Sequence, residues 1–280
     1  MTSTSDRSSR QPARARPRPP GLRALGRAEP PERLEIAGGE YRRQRVFKHD
    51  SFAATALYAG PAGQVVCKFN RRAPLLGLPM GWLGKRLGRR EARALEALGD
   101  LPGIPAPLGP IRHGGRVLPY AVAHAFVEGH PMAEGEYPDD AFFARLAELL
   151  EQIHARGFAY VDLNKRDNIL VGDDGWPYLI DFQIHAGLGR GWLGRVWPRQ
   201  WLLKLLQECD RYHFYKHQLR HRPDLLPEGE RDIERYRPAC IRRWRLLATP
   251  FREGRRRLLV LLGVRRGEGR AESEAEPQRS

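Results

Sequence analysis

The sequence has few cysteines and no long hydrophobic run. Its three cysteines lie far apart without metal-ligand spacing, so they predict neither a disulfide framework nor a metal site. The longest apolar stretch, residues 258–264, is much shorter than the roughly 18–20 residues that a membrane-spanning helix needs. The first residues contain no apolar core of the secretory-signal type. We therefore expect a protein that works in a reducing cytoplasm.

Lysine is also scarce, although the chain is strongly basic. Most of the 48 basic residues are arginines, and the net charge is +15 with a pI near 10.3. Such an excess fits either the coding bias of a GC-rich genome or attraction to an acidic partner. That partner would be nucleic acid, anionic lipid or a phosphorylated substrate, and composition leaves the choice open. Hydrophobic residues make up 41% of the chain, which is enough for a packed core.

Patterning along the chain predicts one organised region between two polar tails. Residues 1–33 and 265–280 lack apolar periodicity and are predicted to be disordered. Between them, strand-like segments come first and amphipathic helices later, which is typical of an α+β protein with two parts. We place these parts at about 34–126 and 130–264. The predicted strands are 41–48, 55–59, 64–70 and 117–126, and the predicted helices are 85–98 and 139–155.

The most informative stretch is residues 160–183. Segments 169–171 and 178–180 flank a turn and should pair as a short hairpin. That hairpin would place Asn168 before one strand and Asp181 after the other, so that their oxygens can bind a hard cation such as Mg²⁺. Asp162, in the preceding loop, is suited to accept a proton from an acceptor hydroxyl. These parts suffice for phosphoryl transfer, in which a protein mainly positions groups and neutralises charge.

Here the sequence resembles the protein-kinase superfamily, whose signatures include an Asp…Asn loop and an Asp-Phe-Gly segment. It looks most like the small branches, RIO-type kinases and bacterial lipopolysaccharide core kinases. The resemblance implies an α+β protein-kinase-like fold, with an antiparallel-sheet N-lobe and a small helical C-lobe. It also implies ATP and Mg²⁺ as cofactors, Asp162 as the catalytic base, and Asn168 and Asp181 as metal ligands.

The upstream part of the resemblance rests on Lys68, which takes the place of the family's phosphate-anchoring lysine. By strand alternation Val66 lies on the same face as Lys68, where the family places a small apolar residue over the adenine. Leu170 would lie on the opposite side of the base. Glu91 is predicted to pair with Lys68, because it lies on the apolar stripe of the helix, whereas Glu96 faces water. The stripe consists of Leu87, Glu91, Leu95 and Leu98.

Three departures from the family pattern affect the expected chemistry. Five residues separate Asp162 from Asn168 instead of four, and within them Lys165 is predicted to reach the transferred phosphate. Gln183 replaces the family's glycine, which removes a hinge and predicts a fixed metal site. The nucleotide-covering segment, residues 50–55, contains no glycine.

That segment would have to bind phosphates through backbone N–H groups and the hydroxyls of Ser51 and Thr55. Its lack of glycine favours an alternative, a catalytically inactive kinase-like scaffold. A third possibility is a basic protein that binds a membrane or nucleic acid, although no RNA-binding module is recognisable and nucleic acid is the weaker candidate. The acceptor stays open between a protein Ser/Thr and a sugar or lipid hydroxyl.

Residues 187–206 interleave tryptophans with basic side chains. This composition is typical of an interfacial amphipathic segment. One interpretation is that a helix beginning at Pro198 packs its Trp/Leu face on the C-lobe. The other is a peripheral contact with an anionic membrane on the cytoplasmic side, which would bring the site to a lipid-linked or glycolipid hydroxyl. The residues concerned are Trp192, Trp197, Trp201, Arg190, Arg195, Arg199 and Lys204.

Overall fold

The N-terminal half of the chain forms one antiparallel sheet. The computed structural model describes residues 19–75, 77–187, 197–234 and 236–238. Seven strands pair in the order β6-β5-β1-β2-β3-β4-β7. Their bounds are Arg33–Ile36 (β1), Gly39–His49 (β2), Ala53–Gly60 (β3), Gly63–Asn70 (β4), Ile111–His113 (β5), Arg116–Val117 (β6) and Ala121–Ala125 (β7). The strands predicted at 41–48, 55–59 and 64–70 are present, and the one predicted at 117–126 is split by a turn.

Strands β3 and β4 have one buried face and one face that carries polar side chains. On the buried face, Ala56 lies opposite Cys67 and Tyr58 opposite Val65, and all four are buried. Directly opposite residues project to the same side of an antiparallel pair. The pair next to Ala56 and Cys67, formed by Thr55 and Lys68, therefore projects to the other side. The alternating pattern thus presents the lysine on the face away from the N-lobe core.

Helix α1, Gly81–Leu98, closes against the end of this sheet. It begins one turn before the predicted start at Lys85. Two glycines allow the close approach: a Cβ on Gly84 would lie 2.1 Å from the carbonyl oxygen of Arg71, and one on Gly88 would lie 3.0 Å from the backbone of Tyr120. Glycine is a poor helix former, so its presence concealed the first turn from sequence reasoning.

The C-terminal half is mainly helical and contains two small sheets, one of three strands and one of two. Helix α2 spans Asp140–Ala155, as predicted, and α3 spans Trp197–His221. The predicted hairpin is formed by β10 and β11, which β8 extends, while β9 pairs with β12. These strands are Gly129–Pro131 (β8), Phe158–Ala159 (β9), Ile169–Gly172 (β10), Pro177–Leu179 (β11) and Ala186–Gly187 (β12).

Two clusters of buried hydrophobic residues form the core of the protein. One lies within the sheet lobe, and the other joins α1 residues such as Leu95 and Leu98 to Phe142 of α2 and to Phe182. Because the second cluster crosses between the lobes, α1 is packed against both. The predicted two-lobed α+β architecture, with an antiparallel-sheet N-lobe and a small helical C-lobe, is thereby confirmed.

The ordered fold begins earlier than predicted. Residues from Pro19 to Glu32 were expected to belong to a disordered tail, yet Ala24 has no exposed surface and its N–H donates to the carbonyl of Asp50 at 2.7 Å. The Arg71 guanidinium also donates to the carbonyl of Gly21 at 2.9 Å. This segment is held in place by contacts with residues that are distant in the sequence, and its composition did not indicate these contacts. The boundary at residue 33 is therefore wrong for residues 19–32.

Helix α3 begins with exposed aromatic side chains. Trp197 is 76% exposed and Trp201 is 56% exposed, whereas Leu203 is buried. The interpretation in which the tryptophans pack on the C-lobe is therefore wrong for these two residues. Trp192 lies outside the described residues. In the described part of the chain, no helix is long and apolar enough to cross a bilayer.

Candidate active site

Lys68 is the centre of an ion-pair cluster between the lobes. Its ammonium donates to Glu91 Oε1 at 3.0 Å and to Asp181 Oδ1 at 2.5 Å. The side chain is largely buried, since only 9% of the residue is exposed. A single cation on β4 therefore joins α1 to the segment after β11, and Lys68 and Asp181 are 113 positions apart in the sequence.

Glu91 reaches Lys68 because it lies on the inward face of α1. It is buried with Leu95 and Leu98, while Glu96 is exposed. Only one of its oxygens is engaged: Oε2 is buried and has no hydrogen-bond partner among the described residues. Burying a carboxylate is costly unless a cation compensates it, so Lys68 and Glu91 depend on each other.

Burial and charge act in opposite directions on the pKa values of this cluster. Burial alone would lower the pKa of Lys68, but the carboxylates of Glu91 and Asp181 together raise it above its ordinary value. Burial alone would raise the pKa of Asp181, but the neighbouring ammonium of Lys68 holds it below the ordinary value. Burial raises the pKa of Glu91, and Lys68 opposes this effect. The geometry thus favours a charged ammonium and a charged Asp181.

The loop that carries Asp162 places three polar side chains together. Lys165 Nζ donates to Asp162 Oδ2 at 2.6 Å, and Asn168 Nδ2 donates to the same oxygen at 3.0 Å and to the Asp162 carbonyl at 3.2 Å. The extra residue of this loop is accommodated as a turn followed by a short 3-10 helix, Arg166–Asn168. Asp162 is therefore fixed by two donors on one oxygen.

The hairpin brings this loop to the Lys68 cluster. Ile169 pairs with Leu179, and the N–H of Ile180 donates to the Asn168 carbonyl at 3.1 Å. Asp181 follows at once in a left-handed conformation, with φ 64° and ψ 66°. Asn168 and Asp181 thus lie at adjoining strand ends, as the hairpin pattern predicted.

The oxygens left over in the site fit a hard cation. Because Asn168 donates through Nδ2, its Oδ1 is an acceptor. Among the described residues, no donor contacts Asn168 Oδ1 or Asp181 Oδ2, and neither atom is a buried unsatisfied group. An amide oxygen and a carboxylate oxygen are ligands that Mg²⁺ accepts while keeping several waters. The donor set therefore suits Mg²⁺.

Ser51 is not brought into this cluster. Its hydroxyl donates to the carbonyl of Leu22 at 2.8 Å, so its only proton is used by the N-terminal segment. In the same turn, the N–H groups of Phe52 and Ala53 donate to Asp50 Oδ1 at 2.7 and 3.0 Å. The Leu22 carbonyl and the Asp50 carboxylate therefore engage the donors that this turn was expected to offer to phosphates, and the role of Ser51 towards a nucleotide stays a prediction.

Thr55 and Val66 lie on the face of the sheet that carries Lys68. Thr55 is directly opposite Lys68, and Val66 shares the face of Lys68 two residues away. Leu170 lies in β10, half-buried. Opposite Val66 on β7 is His124, whose pKa is lowered by burial and further by the charge of Lys68. The roles of these residues towards a nucleotide stay predictions.

Sequence reasoning missed the group that supports the Asp162 loop. Asp210, on α3, has no exposed surface and accepts hydrogen bonds from the N–H groups of Tyr160 and Val161, each at 2.7 Å. His154 of α2 contacts the same carboxylate at 3.1 Å. Val161 has φ 72°, which is unfavourable for a β-branched residue. The seven-residue spacing of Leu203, Asp210 and His217 along α3 was the available signal for an inward carboxylate.

The two-lobed fold and the charged groups between its lobes have the arrangement that the sequence resemblance to protein kinases implied. No protein-family model matches the sequence, and a search of curated proteins finds no match. Among solved structures, the chain is similar to the Rio2 kinase of Chaetomium thermophilum in an ADP/Mg²⁺-phosphoaspartate complex, with 17% identity and a TM-score of 0.49 over 66% of this chain and 57% of that one. A second structure of that kinase gives 16% identity and a TM-score of 0.49 over 70% and 62%. The chain thus spans less than two thirds of the length of that kinase in either structure.

Proposed function

We propose that this protein is an ATP- and Mg²⁺-dependent phosphotransferase that moves the γ-phosphate of ATP to a hydroxyl group. The observation that carries the proposal is the double ion pair of Lys68, with Glu91 in one lobe and Asp181 in the other. A buried ammonium between two carboxylates, beside an Asp–Asn loop, suits a polyphosphate and its metal better than a purely structural role.

Each residue has a role that its contacts support. Lys68, oriented by Glu91, would bind the α- and β-phosphates, and Asn168 and Asp181 would hold Mg²⁺. When bound, Mg²⁺ supplies positive charge that neutralises the phosphate oxygens during transfer. Oδ1 of Asp162 has no donor among the described residues, so it is available to accept the proton of the attacking hydroxyl.

Lys165 is suited to follow the transferred phosphate. Its ammonium contacts Asp162 Oδ2 at 2.6 Å, and its side chain is half exposed. A lysine beside the general base would neutralise the phosphoryl oxygens as they approach the acceptor. The base and the cation would stay paired with each other until the phosphate arrives.

The experiment that tests the proposal is label transfer from γ-labelled ATP in the presence of Mg²⁺. The acceptor panel contains a generic protein substrate, phosphorylated sugars and glycolipids, with ATP hydrolysis as a second readout. We expect Asp181→Ala to lose label transfer and Mg²⁺-dependent nucleotide binding. Asp162→Asn should retain nucleotide binding while turnover falls by roughly 10²–10⁴, as expected for loss of a general base. Equal turnover in wild type and both variants would contradict the proposal.

A catalytically inactive scaffold is the second candidate, and one observation favours it. Asp50 captures the N–H groups of Phe52 and Ala53, so this turn lacks free donors for phosphates. Under this alternative the wild type would bind nucleotide weakly or not at all and transfer no label. Asp50→Ala distinguishes the candidates, because freeing the N–H groups should strengthen nucleotide binding in an enzyme whose turn covers the phosphates.

The acceptor class is linked to the exposed tryptophans of α3. Trp197 and Trp201, near the basic residues Arg199 and Lys204, have the composition of a segment that lies on an anionic membrane. We propose such a peripheral contact, which would favour a lipid-linked acceptor. Flotation with anionic liposomes should be reduced in Trp197→Ala/Trp201→Ala. It should be unchanged in Trp176→Ala, whose ring contacts Arg145 elsewhere on the C-lobe. Absence of flotation by the wild type at low salt would remove this proposal.

A further inference from the structure

A pair of amide side chains forms a second connection between the lobes next to the ion pair. Gln183 Nε2 donates to Asn70 Oδ1 at 2.7 Å, and Asn70 has no exposed surface. Asn70 Nδ2 in turn donates to the carbonyl of Tyr120 at 3.1 Å. Because one end of the Asn70 amide must face a carbonyl, the orientation of both amides is determined by their partners.

The amide pair repeats the spacing of the ion pair. Asn70 lies two residues after Lys68 on β4, and Gln183 lies two residues after Asp181. Residues two apart on a strand project to the same side. The strand and the segment after β11 are therefore joined by two adjacent contacts, one charged and one neutral.

These two contacts respond differently to a bound nucleotide. Under the proposed function, Lys68 turns to the phosphates and Asp181 to the metal, so their direct ion pair must loosen. The Asn70–Gln183 contact involves neither charge nor ligand and has no such reason to open. It is the connection that can persist while the charged groups exchange partners.

Asp181 has a specific need for such support. Its backbone is left-handed, a conformation that an aspartate adopts more readily than most residues but less readily than a glycine. The N–H of Gln183 donates to Asp181 Oδ1 only at 3.4 Å, which is a weak contact. The side-chain bond from the same residue to the sheet lobe is shorter, and it fixes the chain two residues after the metal ligand.

We propose that Asn70 and Gln183 are positioning residues that hold Asp181 in its metal-binding place independently of Lys68. This inference rests on the proposed function. It assigns a role to Gln183, which occupies the position where a glycine would permit the segment to swing. The expected result is a metal site that is formed before nucleotide binds and does not alternate between two arrangements.

The test is a Mg²⁺ titration of the binding of a fluorescent ATP analogue. Gln183→Met keeps the side-chain length but removes the amide. Gln152→Met makes the same change on α2, where the Gln152 amide donates to Glu148. Loss of one hydrogen bond predicts a rise of roughly threefold to tenfold in the half-saturating Mg²⁺ concentration for Gln183→Met. Binding measured in EDTA should not change, because Lys68 and Glu91 are untouched. Gln152→Met should match the wild type.

A double-mutant cycle with Asn70→Leu asks whether the two amides act as one unit. The half-saturating Mg²⁺ concentration of the double variant should not exceed that of the more impaired single variant, since both changes remove the same hydrogen bond. Additive effects would overturn the pairing. Should Asn70→Leu fail to fold, the comparison of Gln183→Met with Gln152→Met still decides.

Hydrogen exchange separates failure of this inference from failure of the proposed function. Without any nucleotide, residues 180–187 should exchange faster in Gln183→Met than in wild type and Gln152→Met. If the wild type binds no Mg²⁺–nucleotide, the proposed function fails, whatever the exchange rates. If the wild type binds but Gln183→Met shows the same Mg²⁺ dependence and the same exchange, the positioning role is refuted.

Discussion

Replacing Asp210 by asparagine is the most demanding test of how the Asp162 loop is held. The two carboxylate oxygens accept from the N–H groups of Tyr160 and Val161, and His154 contacts one of them. An asparagine has the same shape, but whichever way its amide turns, its NH₂ faces a backbone N–H. One backbone N–H keeps a weaker bond to the amide oxygen and the other loses its acceptor while buried, which predicts a loss of about 3–5 kcal/mol of unfolding free energy.

The assay is urea unfolding of Asp210→Asn beside Asp173→Asn, an exposed position in the turn of the hairpin. The control should stay within about 0.5 kcal/mol of wild type. Affinity for Mg²⁺–nucleotide should change less than turnover, because Asp210 contacts the loop of Asp162 and not Lys68. An Asp210→Asn protein as stable as the control would refute the placement of this carboxylate. Equal turnover would refute its role in holding the loop.

Three further predictions concern the groups around Lys68. Lys68→Met should abolish nucleotide binding and lower the free energy of unfolding by about 3–5 kcal/mol, since it leaves Glu91 buried without a cation. Adding Glu91→Gln should recover part of that stability in urea unfolding, and no recovery would contradict the pairing. Gly84→Ala places a Cβ 2.1 Å from the carbonyl oxygen of Arg71, so it should lower the free energy of unfolding by about 1–3 kcal/mol and weaken nucleotide binding. Gly81→Ala, whose Cβ would have nothing within 4 Å, should be neutral or slightly stabilising. Because the pKa of Asp181 is held below its ordinary value of 3.8, its contribution to stability is present above that pH and is lost as the pH falls through the folded value. The stability gap between wild type and Asp181→Asn should therefore shrink below about pH 4, and a constant gap would exclude this linkage.

The parts of the site that follow local patterns were predictable from the sequence. Strand alternation put Val66 on the same face as Lys68, helical periodicity chose Glu91 over Glu96, and turn residues defined the hairpin between Asn168 and Asp181. Each of these inferences needs only neighbours within one element or one turn. Their joint success reflects the agreement of local preference and tertiary contact.

The parts that depend on distant contacts were not predictable in this way. The carbonyl of Leu22 captures the Ser51 hydroxyl across 29 positions, and Asn70 meets Gln183 across 113. No periodicity encodes which polar side chain will face which backbone group of another element. The N-terminal segment was missed for the same reason, because its proline- and arginine-rich composition suggests disorder and only its contacts order it.

The contacts in the site fall into two physical kinds, and the difference bears on how it would work. The ion pairs of Lys68 with Asp181 and of Lys165 with Asp162 join groups whose charges match those of a phosphate chain and a metal. When a nucleotide and its metal replace such an ion pair, each charged side chain still has a partner of opposite charge. The bonds made by Asp210 end on backbone N–H groups, which no ligand replaces. A site that has both kinds can rearrange its charges around a substrate while the backbone beneath them stays in place, and this separation is the physical basis for expecting turnover and not only binding.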